Sequence, residues 1–188
     1  MLEGKSILCV IPARGGSRRL PFKNITLFRG KALIQWAIER AEGSKYVDRI
    51  VVSTEDRAIA LHAGKYCLER PAFLAEDRVP TEAVMVHVLH QVTGYDFAVL
   101  LQPTSPLRSV EDIDRSIEIA ITKDGVNGLT GCVSYNEYGK RNGAVFVCNV
   151  RHFLQHLSFD AAHHYLMPNS RSLDINYAWD LKDENRSD

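Results

Sequence analysis

The sequence predicts a three-layer α/β/α domain built on a mainly parallel, Rossmann-like sheet. Three observations predict it. Short apolar runs read as buried strands, amphipathic stretches of ten or more residues alternate with them, and the length of 188 residues suits one domain at about 150 residues each. Hydrophobic residues at 45% and charged residues at 24% are the balance of a chain that can bury a substantial core.

Residues 6–13 (S-I-L-C-V-I-P-A) form a continuous apolar run that ends in proline and precedes Gly15-Gly16, as a buried strand feeding a loop does. Residues 31–42 place Leu33, Ile34, Trp36, Ala37 and Ala41 on one helical face, with Gly43 as the stop. A second buried strand is expected at 49–54 and a short helix at 57–65, ending near Gly64. The 80–92 segment reads as a helix with Pro80 near its first turn and Val84, Val88 and Val92 four residues apart. Residues 97–102 make the most apolar strand, expected at the centre of the sheet. Ser109 is an N-cap for a helix with an acidic first turn, whose Ile113, Ile117, Ala120 and Ile121 share a face. Further strands are expected at 129–135 and 143–150, and a helix after Ile175. Such sheets bind ligands at the carboxyl ends of their strands, so Ala13, Thr54 and Gln102 are expected to border one site.

The 23 basic and 23 acidic residues cancel, which excludes bulk attraction to nucleic acid or to an anionic membrane. No apolar stretch approaches the ~20 residues of a membrane span. Cys9, Cys67, Cys132 and Cys148 form no C-x-x-C pair and lie in or beside apolar runs, like reduced core thiols. With no signal-peptide pattern at the amino terminus, a cytoplasmic location is expected.

Positive charge is instead concentrated locally. Arg14-Gly15-Gly16-Ser17-Arg18-Arg19-Leu20-Pro21-Phe22-Lys23-Asn24 follows the first strand and carries four cations. Paired glycines let backbone N–H groups turn toward an anion, arginine offers a planar fork, and lysine a point charge. A polyphosphate is the natural counter-charge; a solvated loop with a helix cap is the other reading. The spacing matches neither G-x-x-x-x-G-K-[ST] nor G-x-G-x-x-G, which disfavours P-loop kinases and dinucleotide binders.

Two further clusters stand out. Gln102-Pro103-Thr104-Ser105-Pro106-Leu107-Arg108 pairs a rigid proline turn with hydroxyls and an amide able to read a base or sugar edge; it also reads as a plain turn before the Ser109 helix. In an extended D-x-N, Asp174 and Asn176 point to the same side, within reach of one hard cation; an aspartate capping the last helix fits equally.

Ile11-Pro12-Ala13-Arg14-Gly15-Gly16-Ser17, Pro21-x-Lys23-Asn24, Leu101-Gln102-Pro103-Thr104-Ser105-Pro106-Leu107-Arg108, Asn142-Gly143-Ala144 and Ser172-x-Asp174-Ile175 together resemble the acylneuraminate cytidylyltransferases. These CMP-sialic acid synthetases have relatives that activate pseudaminic, legionaminic and ketodeoxyoctonic acids. Asp48-Arg49-Ile50-Val51-Val52-Ser53-Thr54, Arg70-Pro71 and Leu74-Ala75-x-Asp77 extend the resemblance over nearly the whole chain.

The resemblance implies a nucleotidyltransferase fold and transfer of CMP from CTP to the anomeric hydroxyl of a nonulosonic-type 2-keto-3-deoxy sugar acid. It also implies Mg²⁺ as cofactor, pyrophosphate as product, and a homodimer. By position, Arg14 and Lys23 would hold the triphosphate, and Ala13, Ser17, Arg18 and Asn24 would border the nucleotide. Arg70 and Thr81 would line the cytidine pocket, Gln102 and Ser105 would reach the sugar acid and the reacting centre, and Asp174 with Asn176 would hold the metal. The same motifs are compatible with a relative that binds nucleotide or sugar without turnover, or with a nucleotidyltransferase using another sugar and base.

Three departures from the resemblance matter. Arg18 stands where lysine is usual, and Asn176 where a second aspartate is usual. Between Val133-Ser134 and Asn142-Gly143-Ala144 only seven residues, 135–141, replace a few tens that carry an arginine-rich dimer and sugar contact, so the dimerisation element is expected to be reduced. Lys140 and Arg141 could take over the sugar-carboxylate contacts, and Phe159, Tyr165 and Met167 lie near positions that line the same region or belong to the core. His87, His90, His163 and His164, Trp36 and Trp179, and the Glu55-Asp56 pair read as structural residues.

Overall fold

The structure is a computed structural model that describes residues 1–123, 131–159, 161 and 163–185. Among these, seven strands form one sheet, in the order β5 (Cys67–Glu69), β4 (Arg49–Thr54), β1 (Ile7–Pro12), β6 (Phe97–Leu100), β8 (Arg141–Asn149), β7 (Cys132–Asn136) and β9 (His163–Met167). β5, β4, β1 and β6 run parallel, β8 is antiparallel to both β6 and β7, and β9 is parallel to β7. The expectation of a mainly parallel sheet with 97–102 at its centre therefore holds: β6 is the fourth strand of seven.

The alternation along β1 shows how the layers form. Ile7, Cys9 and Ile11 face one side, packed with α1 (Leu33–Glu42), α2 (Arg57–Ala63) and α4 (Val110–Thr122). Leu8 and Val10 face the other, packed with α3 (Thr81–Gln91) and α5 (Val150–His156). A period-2 strand that is apolar on both faces needs cover on both, and the helices supply it. Phe153 of α5 is fully buried, its ring 4.9 Å from Phe159, which is itself 5.3 Å from Phe146.

The elements differ from the expected ones in places, each for a local reason. Lys31–Ala32 does not begin the helix; it is a short strand, β3, paired antiparallel with β2 (Leu27–Phe28). Arg29 (φ 50°) and Gly30 (φ 75°) are both left-handed, the turn that matches strand twist, so α1 starts only at Leu33. β5, α5 and β9 were not anticipated, each being seven residues or shorter. The expected 129–135 strand is described from Cys132; Leu129 and Thr130 lie outside the described residues. The tail after Ile175 forms 3-10 turns over Ala178–Asn185 instead of an α-helix. Asp180 Oδ2 there accepts the N–H groups of Asn176 (2.7 Å) and Tyr177 (2.8 Å).

The short 135–141 stretch closes as a tight hairpin turn. Asn136 Oδ1 accepts the N–H groups of Tyr138 and Lys140, and Tyr135 pairs with Arg141. Phe159 and Met167 are buried in the core, and Tyr165 donates its hydroxyl to buried Asp112 (3.0 Å), so this trio packs the fold. Of the four free cysteines, Cys67 is exposed on the outermost strand, contrary to the core placement expected; Cys9, Cys132 and Cys148 are buried. Trp179 is also exposed, stacked on Tyr177 at 4.3 Å, whereas Trp36 packs and donates to the Phe28 carbonyl. No helix among the described residues is long and apolar enough to cross a membrane.

Candidate active site

The carboxyl ends of β1, β5 and β6 open onto one cleft; of the three residues expected to border it, Gln102 does, whereas Ala13 and Thr54 are buried and do not line it. Its volume is about 250 Å³, and Arg14, Lys23, Asn24, Arg70, Thr81 and Gln102 are among the residues lining it. A neighbouring pocket of about 310 Å³ shares Arg14, Lys23, Asn24 and Asp77 and adds Ser17, Arg18 and Arg19. The residues expected to meet a nucleotide thus converge from four separate stretches of chain.

The loop after β1 is held by its neighbours. Ala13 is fully buried and donates its N–H to the Ser53 carbonyl, fixing where the loop leaves the sheet. Asn24 is buried and donates its amide to the Arg14 carbonyl (2.9 Å), closing the loop on itself. The Gly15 N–H donates to Glu55 Oε1 (2.7 Å), and a Cβ at Gly15 would collide with the Asp56 carboxylate, which caps α2 through the Ile59 N–H. Glycine is required here by a close approach. Asp56 starts the helix as expected, but Glu55 instead anchors the loop.

Each cation has a defined partner. Arg14 Nη1 lies 2.8 Å from Asp77 Oδ1, and Arg18 pairs with the other oxygen of the same carboxylate. Arg19 Nη2 (3.1 Å) and Lys23 Nζ (3.2 Å) both donate to Asn176 Oδ1. Burial pushes the Lys23 ammonium below the usual lysine range; Asp174 opposes that shift, and Arg19 and Arg14 add to it. A cation that is partly desolvated and crowded by like charges gains from any anion delivered to it.

At the cleft floor, Arg70 is nearly fully buried and donates through Nε to Ser53 Oγ (3.2 Å) and through Nη2 to the Ser53 carbonyl. Burial holds it below the ordinary arginine value, with Glu55 opposing. The turn that begins at Gln102 is anchored from below by Arg108, which is fully buried and donates Nη1 to the carbonyls of Gln102 (3.2 Å) and Ala144 (2.6 Å). Burial drives its guanidinium down to about 10. Ser105 is 1% exposed and its hydroxyl finds no partner among the described residues; it is Thr104, also unpartnered, that lines the cleft. Gln102 turns its side chain toward Gly143 of β8.

The late segment reaches the same site from the far end of the chain. Arg171 forks onto Asp112, Asn142 donates to Ser172 Oγ (3.0 Å), and Ile175 donates its N–H to the Thr104 carbonyl (2.8 Å). Asp174 is exposed, with Oδ2 accepting from Asn176 Nδ2 (2.7 Å). A hard cation bound by one or two carboxylates plus substrate phosphates fits Asp174. It does not fit Asn176 as expected, because the amide oxygen is directed at two cationic donors. Among the described residues no group of three or more His, Cys, Asp or Glu side chains could hold a metal ion.

In the sequence, Asp77 stood within Leu74-Ala75-x-Asp77 and Glu55 read as structural, but neither showed as a partner of the cationic loop, and the Asp112–Arg171 pair was missed. That pair joins residues far apart in the chain and left no local pattern.

Comparison with known proteins gives a consistent result. A family model described as cytidylyltransferase matches residues 8–147. An N-acylneuraminate cytidylyltransferase of Escherichia coli O18:K1:H7 is 28% identical over 94% of this chain and 50% of its own. A CMP-N,N'-diacetyllegionaminic acid synthase of Legionella pneumophila is 40% identical over 60% of this chain and 52% of its own. The solved structure of a CMP:2-keto-3-deoxy-manno-octonic acid synthetase complexed with CTP superposes with a TM-score of 0.60 at 26% identity, covering 70% of this chain and 52% of that one. The chain spans about half the length of the curated relatives it matches.

Proposed function

The chain belongs to the cytidylyltransferase family, and from that premise we propose that it transfers CMP from CTP to the anomeric hydroxyl of a sialic-acid-like 2-keto-3-deoxy sugar acid. The observation that carries this reading is the convergence of Arg14, Arg18, Arg19 and Lys23 on one pocket beside a cleft lined by Arg70, Thr81 and Gln102. A triphosphate brings several negative charges and a nucleoside brings an edge to be read; the two adjoining pockets suit those two parts.

In this reading the sugar hydroxyl oxygen attacks the α-phosphorus. The new P–O bond forms as the bond from that phosphorus to the bridging oxygen breaks, pyrophosphate leaves with the electron pair, and the hydroxyl proton is released. The chain's own work is positioning and charge stabilisation. Arg14 and Lys23 hold the triphosphate, with Ala13, Ser17, Arg18 and Asn24 around it. Arg70 and Thr81 border the base, and Gln102, with Ser105 beneath, borders the sugar acid. Asp174 would hold a divalent cation, Mg²⁺ in this reading, which neutralises charge developing on the phosphates. A homodimer belongs to the same reading; Tyr138 and Leu166, exposed at the β7–β9 end of the sheet, support it.

The test is pyrophosphate release with CTP, Mg²⁺ and a panel of sialic, pseudaminic, legionaminic and ketodeoxyoctonic acids. Release with one or more of them is expected. CTP binding without release from any acid would replace the enzyme by a nucleotide-binding relative.

A further inference from the structure

The carboxamide of Asn176 is fully committed in the folded chain. Its oxygen accepts Arg19 Nη2 at 3.1 Å and Lys23 Nζ at 3.2 Å, and its nitrogen donates to Asp174 Oδ2 at 2.7 Å. The backbone beneath is pinned, since Asp180 Oδ2 accepts the Asn176 N–H at 2.7 Å. An amide oxygen offers two lone-pair directions, and both are taken here. Rotating the amide would aim its NH₂ at two cationic donors and its oxygen at a carboxylate, losing all three hydrogen bonds.

A metal ion at that oxygen would also sit beside two positive charges. Like charges at such short range repel, and a divalent ion feels twice the repulsion of a monovalent one. Asp174 then remains as one exposed carboxylate with one oxygen already hydrogen-bonded. A small hard cation wants about six oxygens, so a single carboxylate holds it poorly unless phosphate oxygens complete the shell.

We propose that Asn176 is a cation anchor, not a metal ligand, so that this protein takes up its divalent cation only together with the nucleotide phosphates, with Asp174 as the one protein carboxylate on it. Arg19 and Lys23 are thereby held over the pocket before the nucleotide arrives, and the nucleotide carries most of the metal's ligands with it. The inference rests on the reading that a nucleoside triphosphate occupies this pocket.

The test measures Mn²⁺ binding to the full chain by the electron paramagnetic resonance signal of free Mn²⁺, without nucleotide, for the wild type, Asn176→Asp and Asn176→Ala. Calorimetry with α,β-methylene-CTP, with and without Mn²⁺, runs in parallel. The wild type, Asn176→Ala and Asn176→Asp are all expected to bind Mn²⁺ weakly and within about threefold of one another, because an aspartate at 176 pairs with Arg19 and Lys23 as the amide does. Asn176→Ala is expected to weaken the methylene analogue, since Arg19 and Lys23 lose their anchor. Nucleotide-free Mn²⁺ binding by the wild type that Asn176→Ala weakens would overturn the proposal. Failure of the analogue to bind any variant would overturn the nucleotide reading, while the nucleotide-free titrations still judge Asn176.

Discussion

Arg171 sets its guanidinium on the Asp112 carboxylate, Nε 3.0 Å from Oδ2 and Nη2 2.8 Å from Oδ1. Asp112 is fully buried in the first turn of α4, where Oδ2 also accepts the N–H and hydroxyl of Ser109 and Oδ1 the hydroxyl of Tyr165. One carboxylate thus ties the start of α4, strand β9 and the turn Asn169–Arg171 that leads to Asp174. It couples a core helix to the segment that carries Asp174 and Asn176.

That pair makes stability acid-sensitive in a defined window. Burial pushes the Asp112 carboxyl up, but the hydrogen bonds from Arg171 and Ser109 outweigh it and hold it below its usual 3.8. The unfolded chain therefore takes up a proton at a pH where the folded chain does not. The stability from this group is complete above about pH 4 and is lost as pH falls through the folded value. Asp112→Asn should cost about 3 kcal/mol at pH 7, because Arg171 is left without its counter-charge, and less at pH 3. Urea midpoints at the two pH values check this; an equal deficit at both would refute it.

Lys23 and Lys5 separate the phosphate loop from general charge. Lys23 Nζ lies at the pocket against Asn176, whereas Lys5 is exposed at the other end of β1. Lys23→Ala should lower kcat by about 10²–10³ if its charge meets the phosphates in the transition state. Lys5→Ala should leave turnover near wild type. Pyrophosphate release rates for the two variants decide it, and equal rates would remove the loop from the site.

What could be read in advance, and what could not, divides by range. The buried strands of the parallel half and the Ser109 cap were legible because apolar runs and capping residues act locally: Ser109 Oγ accepts the Asp112 N–H as expected. The cation-rich loop was legible because its charges are neighbours in sequence. What pairs with those charges was not. Asp77 lies some sixty residues from Arg14, and Asn176 some hundred and fifty from Lys23, so only folding brings each carboxylate or amide to its cation. Within the turn, Ser105 faces inward and Thr104 lines the cleft, a difference between two adjacent hydroxyls that shows only once the backbone is folded.

Asp77 competes for the same arginines that a triphosphate would use. Its pair with Arg14 is partly exposed on both sides, 34% and 29%, so it contributes at most about 1 kcal/mol. Asp77→Asn should therefore tighten CTP by no more than about fivefold, seen as a lower KM or by calorimetry. Weaker CTP binding would instead make Asp77 a contact of the nucleotide.

Gly143 provides the sharpest probe of the sugar side. Its φ of 73° is left-handed, and a Cβ there would come into contact with Gln102 Oε1 at 3.4 Å. Gly143→Ala thus adds about 1–2 kcal/mol of backbone strain, and its relief moves the backbone against which the Gln102 side chain rests. The arginines and Lys23 lie on another loop and keep their partners, so CTP affinity should stay at the wild-type value. If Gln102 orients the sugar acid, kcat/KM for that substrate should fall about tenfold, since small displacements of a positioning group are costly at the reacting centre. Calorimetry with CTP and initial rates across sugar-acid concentrations separate the two effects. A matching loss of CTP affinity would move Gln102 to the nucleotide.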